Sequence, residues 1–290
     1  MQHEDREDHG HAGVRALNDK PRALLIHLTP ILASLLFGLA CAFLIATSSL
    51  ESYQVAPFSE DTFGFFGSFG NALYFAVLVG VGAGLLLLLL KRSKQKLIAV
   101  ITGLALTIAA FMLSMVYLYA ALSRFLIPYM DVLVLVVSIL ITVASDHVIF
   151  RSKYSNIAVL GIGGALGTFL GFSIPTASAI LILSVLAIYD VFAVYRGPVG
   201  KIARSGLDQL RGLSFSFRDV QVGLGDLTFY SMLSGHMLLA FGPVSSLASI
   251  ASILIGCAIS FRMAEKKGIF PGLPFPVLLG LAAGLVASLL

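Results

Sequence analysis

Two aspartates constrain this chain more than any other feature of it. Asp190 sits in Ile188-Tyr189-Asp190-Val191-Phe192 and Asp226 closes Gly223-Leu224-Gly225-Asp226, and both stretches are otherwise fit for hydrocarbon. An acidic residue at the centre of a membrane helix costs ~2.5–3.5 kcal/mol on insertion scales, so it persists there when paired, hydrated or functional. The hydrocarbon setting follows from composition. The residues are 58% hydrophobic and 12% charged, whereas a soluble domain carries roughly 25% charged residues. The fold class is therefore all-α, a polytopic membrane protein.

A helical span needs ~20 apolar residues, and nine such runs follow one another along the chain, at about 23–49, 69–90, 97–119, 132–150, 157–174, 177–195, 220–241, 246–261 and 270–290. Nine spans put alternate loops on opposite sides of the membrane. The N-terminal tail and the loops after spans 2, 4, 6 and 8 hold 18 of the 19 Lys and Arg residues, and Arg124 alone falls on the other side. The positive-inside rule then places the N-terminus in the cytoplasm and the C-terminus outside. The net charge of +4 is accounted for by this asymmetry and gives no reason to invoke nucleic acid.

Residues 1–22 are polar and dotted with histidines, and read as a solvated cytoplasmic tail ahead of a transmembrane domain over 23–290. They lack the basic n-region and cleavage site of a secretory signal. The cluster Phe63-Gly64-Phe65-Phe66-Gly67 falls in the loop after span 1, where it would meet the interface. Cys41 and Cys257 lie within apolar runs and read as packing residues. Gly163, Gly167 and Gly171 in span 5, and Gly80 and Gly84 in span 2, recur at helical spacing and predict close helix contacts. Gly161-Ile162-Gly163-Gly164 lacks the preceding strand that a nucleotide-binding loop requires. Asp146-His147 reads as a polar helix end and His236 as an interhelical hydrogen-bond partner.

Asp190 precedes Arg196, the first cytoplasmic charge after span 6, by six residues, or roughly 9 Å of helix. Asp226 follows Arg218 by eight residues, roughly 12 Å if helical. Adjacent antiparallel spans therefore carry the two carboxylates at similar depth. Two carboxyl groups close together cannot both ionise cheaply and share a proton. The ionised member can take a proton from water, while the protonated one polarises a peptide carbonyl. This chemistry needs no metal or other cofactor, and the spans hold no convincing His/Glu cluster or Gly-x-Ser-x-Gly nucleophile.

Gly223 and Gly225 flank Leu224 just before Asp226, where the backbone can leave the helix. A substrate must be extended before its carbonyl can be attacked, and an opened backbone could pair with it. Close small-residue packing is the alternative. Pro271-Gly272-Leu273-Pro274-Phe275-Pro276 opens span 9, and its prolines leave backbone groups outside helical bonding. A plain interfacial helix start would also favour proline there.

In order, Tyr189-Asp190, Gly223-Leu224-Gly225-Asp226 and Pro271-Gly272-Leu273-Pro274 resemble the YD, GLGD and PALP motifs of the presenilin family of GxGD intramembrane aspartyl proteases. Leu227-Thr228-Phe229-Tyr230-Ser231 is similar to presenilin rather than to signal peptide peptidase. The resemblance implies that Asp190 and Asp226 are the catalytic pair. It also implies that Tyr189, Gly223, Leu224, Gly225, Pro271, Gly272, Leu273 and Pro274 shape the site. Gly272 departs from the family's alanine. The loop over residues 196–218 is far shorter than in animal presenilins, which puts self-cleavage in doubt and points to a microbial homologue working without accessory subunits. The expected activity is endopeptidase cleavage of single-span membrane substrates within the bilayer. A cation or proton transporter, or an ion-leak channel, is the rival reading, since intramembrane acids beside broken helices also describe ion sites. A catalytically silent membrane chaperone is a third, against which the retention of both aspartates counts.

Overall fold

The computed structural model describes residues 28–51, 54–92, 94–125, 128–151, 155–196, 214–217, 220–267 and 270–290. The predicted tail and most of the loop between spans 6 and 7 lie outside the described residues. Nine helices are described: α1 Leu28–Ala46, α2 Glu60–Lys91, α3 Gln95–Leu122, α4 Met130–Arg151, α5 Ser155–Ser173, α6 Thr176–Tyr195, α7 Leu224–Phe241, α8 Pro243–Lys267 and α9 Pro274–Ala287. They follow the nine apolar runs one for one. Seven are long and apolar enough to cross a membrane; α9, at Pro274–Ala287, is a shorter apolar helix. The molecule is an all-α integral membrane protein.

The eighteen-residue α7 is not among those seven, for a physical reason. Thr228, Ser231, Ser234 and His236 are all buried within it. It runs through the middle of the bundle, packed by α5, α8, α9 and α6, so its polar side chains meet helices and need not be lipophilic. Ser246 Oγ on α8 donates to the carbonyl of Ser234 at 2.8 Å, and His236 Nδ1–H donates to the carbonyl of Gly171 at 2.7 Å. The expected interhelical role of His236 is thus observed.

The glycine stripe of α5 explains how α7 comes so close. A Cβ on Gly167 would collide with the carbonyl oxygen of Thr228, and one on Gly171 would stand 2.6 Å from that of Met232. Gly163 faces Leu227 in the same way, while neighbouring Gly164 faces the Ser34 carbonyl of α1 at 2.6 Å. Hydroxyls reinforce the α1 contact: Ser34 Oγ donates to the Leu160 carbonyl at 2.9 Å and Thr168 Oγ1 to that of Gly38 at 2.8 Å. In α2 only half of the expectation holds. Gly80 meets the Tyr189 hydroxyl, with 3.2 Å from its built Cβ, whereas Gly84 faces open space.

Two expectations need correction. The Phe63–Gly67 cluster is not loop but the start of α2, whose helix breaks at Gly64 (φ 53°, ψ −133°). That left-handed φ is open to glycine at little cost. Phe65 and Phe66 stay 68% and 82% exposed, as an interfacial position would have them. Span 7 does not start at residue 220. Ser214–Phe217 (β1) and Val220–Gly223 (β2) form an antiparallel hairpin, Ser214 opposite Gly223, and α7 begins only afterwards. Asp146 lies in the last turns of α4 as expected, and Thr107 Oγ1 of α3 donates to its Oδ2 at 2.9 Å.

Candidate active site

Asp226 is the third residue of α7, after Leu224 and Gly225, with extended Gly223 (φ −68°, ψ 145°) as N-cap. A carboxylate at that third position can reach back toward the N-cap amide, and the Gly223 amide lies near Asp226. The positive end of the helix dipole adds to the same effect. Asp226 is thereby fixed by its own helix start.

Asp190 belongs to the last turns of α6, where a carboxylate faces the unfavourable end of the dipole. Its support comes from elsewhere in the sequence. The amide N–H of Leu273 donates to Asp190 Oδ2 at 3.0 Å, and the Gly272 amide lies near the same carboxylate. These amides are free because Pro274 starts α9 one residue later and Leu273 is still the N-cap. Both readings of the proline-rich stretch hold: it starts a helix, and the backbone it leaves unpaired is spent on Asp190.

The same turn reaches the second aspartate. A Cβ built on Gly272 would lie 2.7 Å from Asp226 Oδ2, and the two carboxylates are close enough to interact electrostatically. The extended β2 occupies Val220–Gly223, so a helical rise from Arg218 to Asp226 does not set the depth of Asp226. The Gly272–Leu273 peptide lies against both carboxylates. The turn is held down from beneath, since Gly256 of α8 would put a Cβ 2.5 Å from Pro276 Cα.

The other expected site residues divide. Gly223, Gly272 and Leu273 touch a carboxylate as described. Pro271 is buried and Pro274 half-buried beside them. Leu224 turns to α5, within 3.3 Å of a Cβ on Gly163, and Gly225 is exposed with nothing near it, inside the helix rather than out of it. Tyr189 points its hydroxyl at Gly80 of α2. One neighbour was not singled out from the sequence. Tyr230 donates its hydroxyl to the Gly272 carbonyl at 2.9 Å, with Cys257 beside it. Its position four residues after Asp226 puts it on the same helix face, and that was the available signal.

No protein-family model matches the chain, and no curated protein matches it. Solved structures do. One, a presenilin family intramembrane aspartate protease in a C222 crystal form, aligns with a TM-score of 0.63 at 19% identity, covering 92% of this chain and 98% of that one. A presenilin family intramembrane aspartate protease in a P2 form aligns with a TM-score of 0.62 at 21% identity, covering 90% and 97%. Over nearly its whole length, then, this chain has the fold of the presenilin-family intramembrane aspartate proteases.

Proposed function

We propose that the protein is an intramembrane aspartic endopeptidase of the GxGD type, with Asp190 and Asp226 as its catalytic dyad. The observation that carries this reading is the single turn at Gly272–Leu273 that touches both carboxylates, donating to one at 3.0 Å and closing against the other. An ion pathway would not need two acids held by one peptide, whereas a dyad that must share a proton and a water does.

In the proposed reaction one carboxylate accepts a proton from water as the oxygen attacks the scissile carbonyl. The other, protonated, carboxyl donates a hydrogen bond to the developing oxyanion. Collapse of the tetrahedral intermediate breaks the C–N bond, and the leaving amine takes the proton the first carboxylate had accepted. The substrate is a single-span membrane helix, unwound locally so that its peptide bond is accessible. The extended β2, ending three residues before Asp226, is a ready template for such a strand. Membrane orientation follows the Lys and Arg distribution, with the dyad toward the cytoplasmic side, in the membrane of a microbial cell. Accessory subunits are not required in this reading.

A peptide mimic carrying a hydroxyl in place of the scissile carbonyl tests the reading against the transporter. It should bind wild type and lose affinity in Asp190→Ala and Asp226→Ala. Equal binding to all three, with gradient-driven cation flux in liposomes, would favour the transporter.

A further inference from the structure

Tyr230 and Asp190 lie on different helices, yet each grips one end of the same peptide group. The Gly272 carbonyl and the Leu273 amide belong to one plane. Its oxygen accepts from the Tyr230 hydroxyl at 2.9 Å and its nitrogen donates to Asp190 Oδ2 at 3.0 Å. That hydroxyl spends its one proton on the carbonyl, and the Cys257 side chain lies beside it. Tyr230 is 3% exposed and Cys257 2%, so water does not compete for the bond to the carbonyl.

From this geometry we propose that Tyr230 is a positioning residue, setting the Gly272–Leu273 peptide so that its amide holds Asp190 while Gly272 stays closed against Asp226. The proposal rests on the protease reading for its kinetic consequence, but not for its structural one. A trans peptide group is rigid, so fixing its oxygen from α7 fixes the direction of its N–H toward α6. Hydrogen bonds in series also polarise one another, and a donor on the carbonyl strengthens the amide as a donor. Asp226 and Tyr230 share a helix face. Consequently α7 places one carboxylate directly and the other through the peptide. Cys257 brings α8, a third helix, to the same point.

The test is Tyr230→Phe, which keeps the buried ring and removes the hydroxyl. Two readouts are taken on purified protein in detergent: hydrogen–deuterium exchange at the Leu273 amide, and steady-state cleavage of a single-span peptide. The expected result is exchange at Leu273 faster by about tenfold or more, as loss of one buried hydrogen bond implies, with exchange along the rest of α9 unchanged. Cleavage should show kcat lower by about tenfold with KM within about twofold, the pattern of an interaction made in the transition state. Cys257→Ala should move both readouts in the same direction by less. Unchanged exchange at Leu273 overturns the proposal, and so does a general rise across α7 and α9, which would make Tyr230 a packing residue only. Exchange needs no substrate. A wild type that cuts nothing while Leu273 still responds to Tyr230→Phe would sink the protease reading and leave the coupling standing.

Discussion

Gly272 and Asp226 are in such close approach that a single added methyl group would separate them: a Cβ on the glycine would stand 2.7 Å from Oδ2 of the aspartate. Glycine at this place lets the turn close against the carboxylate. Gly272→Ala must move either the turn or the carboxylate by several tenths of an ångström. Small displacements of reacting groups cost heavily, so we expect cleavage to fall roughly 10- to 100-fold. Thermal stability should hardly change, because the turn lies at one end of the bundle. Cleavage rates and melting of the variant beside wild type check this.

Gly167 supports the site from further away. Any side chain there meets the Thr228 carbonyl, two residues past Asp226. Gly167→Val should therefore destabilise the protein by about 1–3 kcal/mol, the usual penalty of overpacking. Activity should fall with it, because α7 shifts and carries Asp226 along. Denaturation of the variant in detergent gives the stability; Gly84→Val, which meets open space, is the control expected to sit near wild type.

Glu60 caps a helix that it does not belong to. Its Oε1 accepts from the Ser178 amide in the first turn of α6 and from Ser68 Oγ at 2.9 Å, while α6 has no side-chain cap of its own. Glu60→Ala should cost about 0.5–2 kcal/mol, as loss of an N-cap does. Denaturation measures it, and a second substitution, Ser68→Ala, should add little once Glu60 is gone.

Asn71 is wholly buried and closes the same corner. It accepts from the Phe58 amide at 2.9 Å and donates to the Phe58 carbonyl at 2.9 Å and to Ser178 Oγ at 2.8 Å. Asn71→Leu orphans these partners, each at about 1–3 kcal/mol when buried. We expect the variant to melt well below Glu60→Ala, or to fail to accumulate. A melting point equal to wild type would show that water replaces the side chain.

How much of this could be read from the sequence depends on whether the signal was local. The helices were legible because each is an apolar run bounded by charges or prolines, and the α5 glycines because their spacing of four marks one face. The turn at Pro271–Pro274 was legible as unpaired backbone, but its destination was not, since nothing in residues 270–276 encodes that Leu273 faces Asp190, 83 residues earlier. The Glu60–Ser178 cap spans 118 residues and is equally silent. The hairpin was missed because Val220 and Val222 suit a span as well as a strand, although Ser214-Phe215-Ser216-Phe217 does carry the two-residue alternation of a strand.

If the two aspartates on α6 and α7 cut a peptide bond together, cleavage of a single-span peptide in detergent must need both. Purified wild type, Asp190→Ala and Asp226→Ala are compared, with products mapped by mass. Product should come from wild type and none from either variant, each of which should still fold. Cleavage that persists in the variants at the wild-type rate would contradict that requirement.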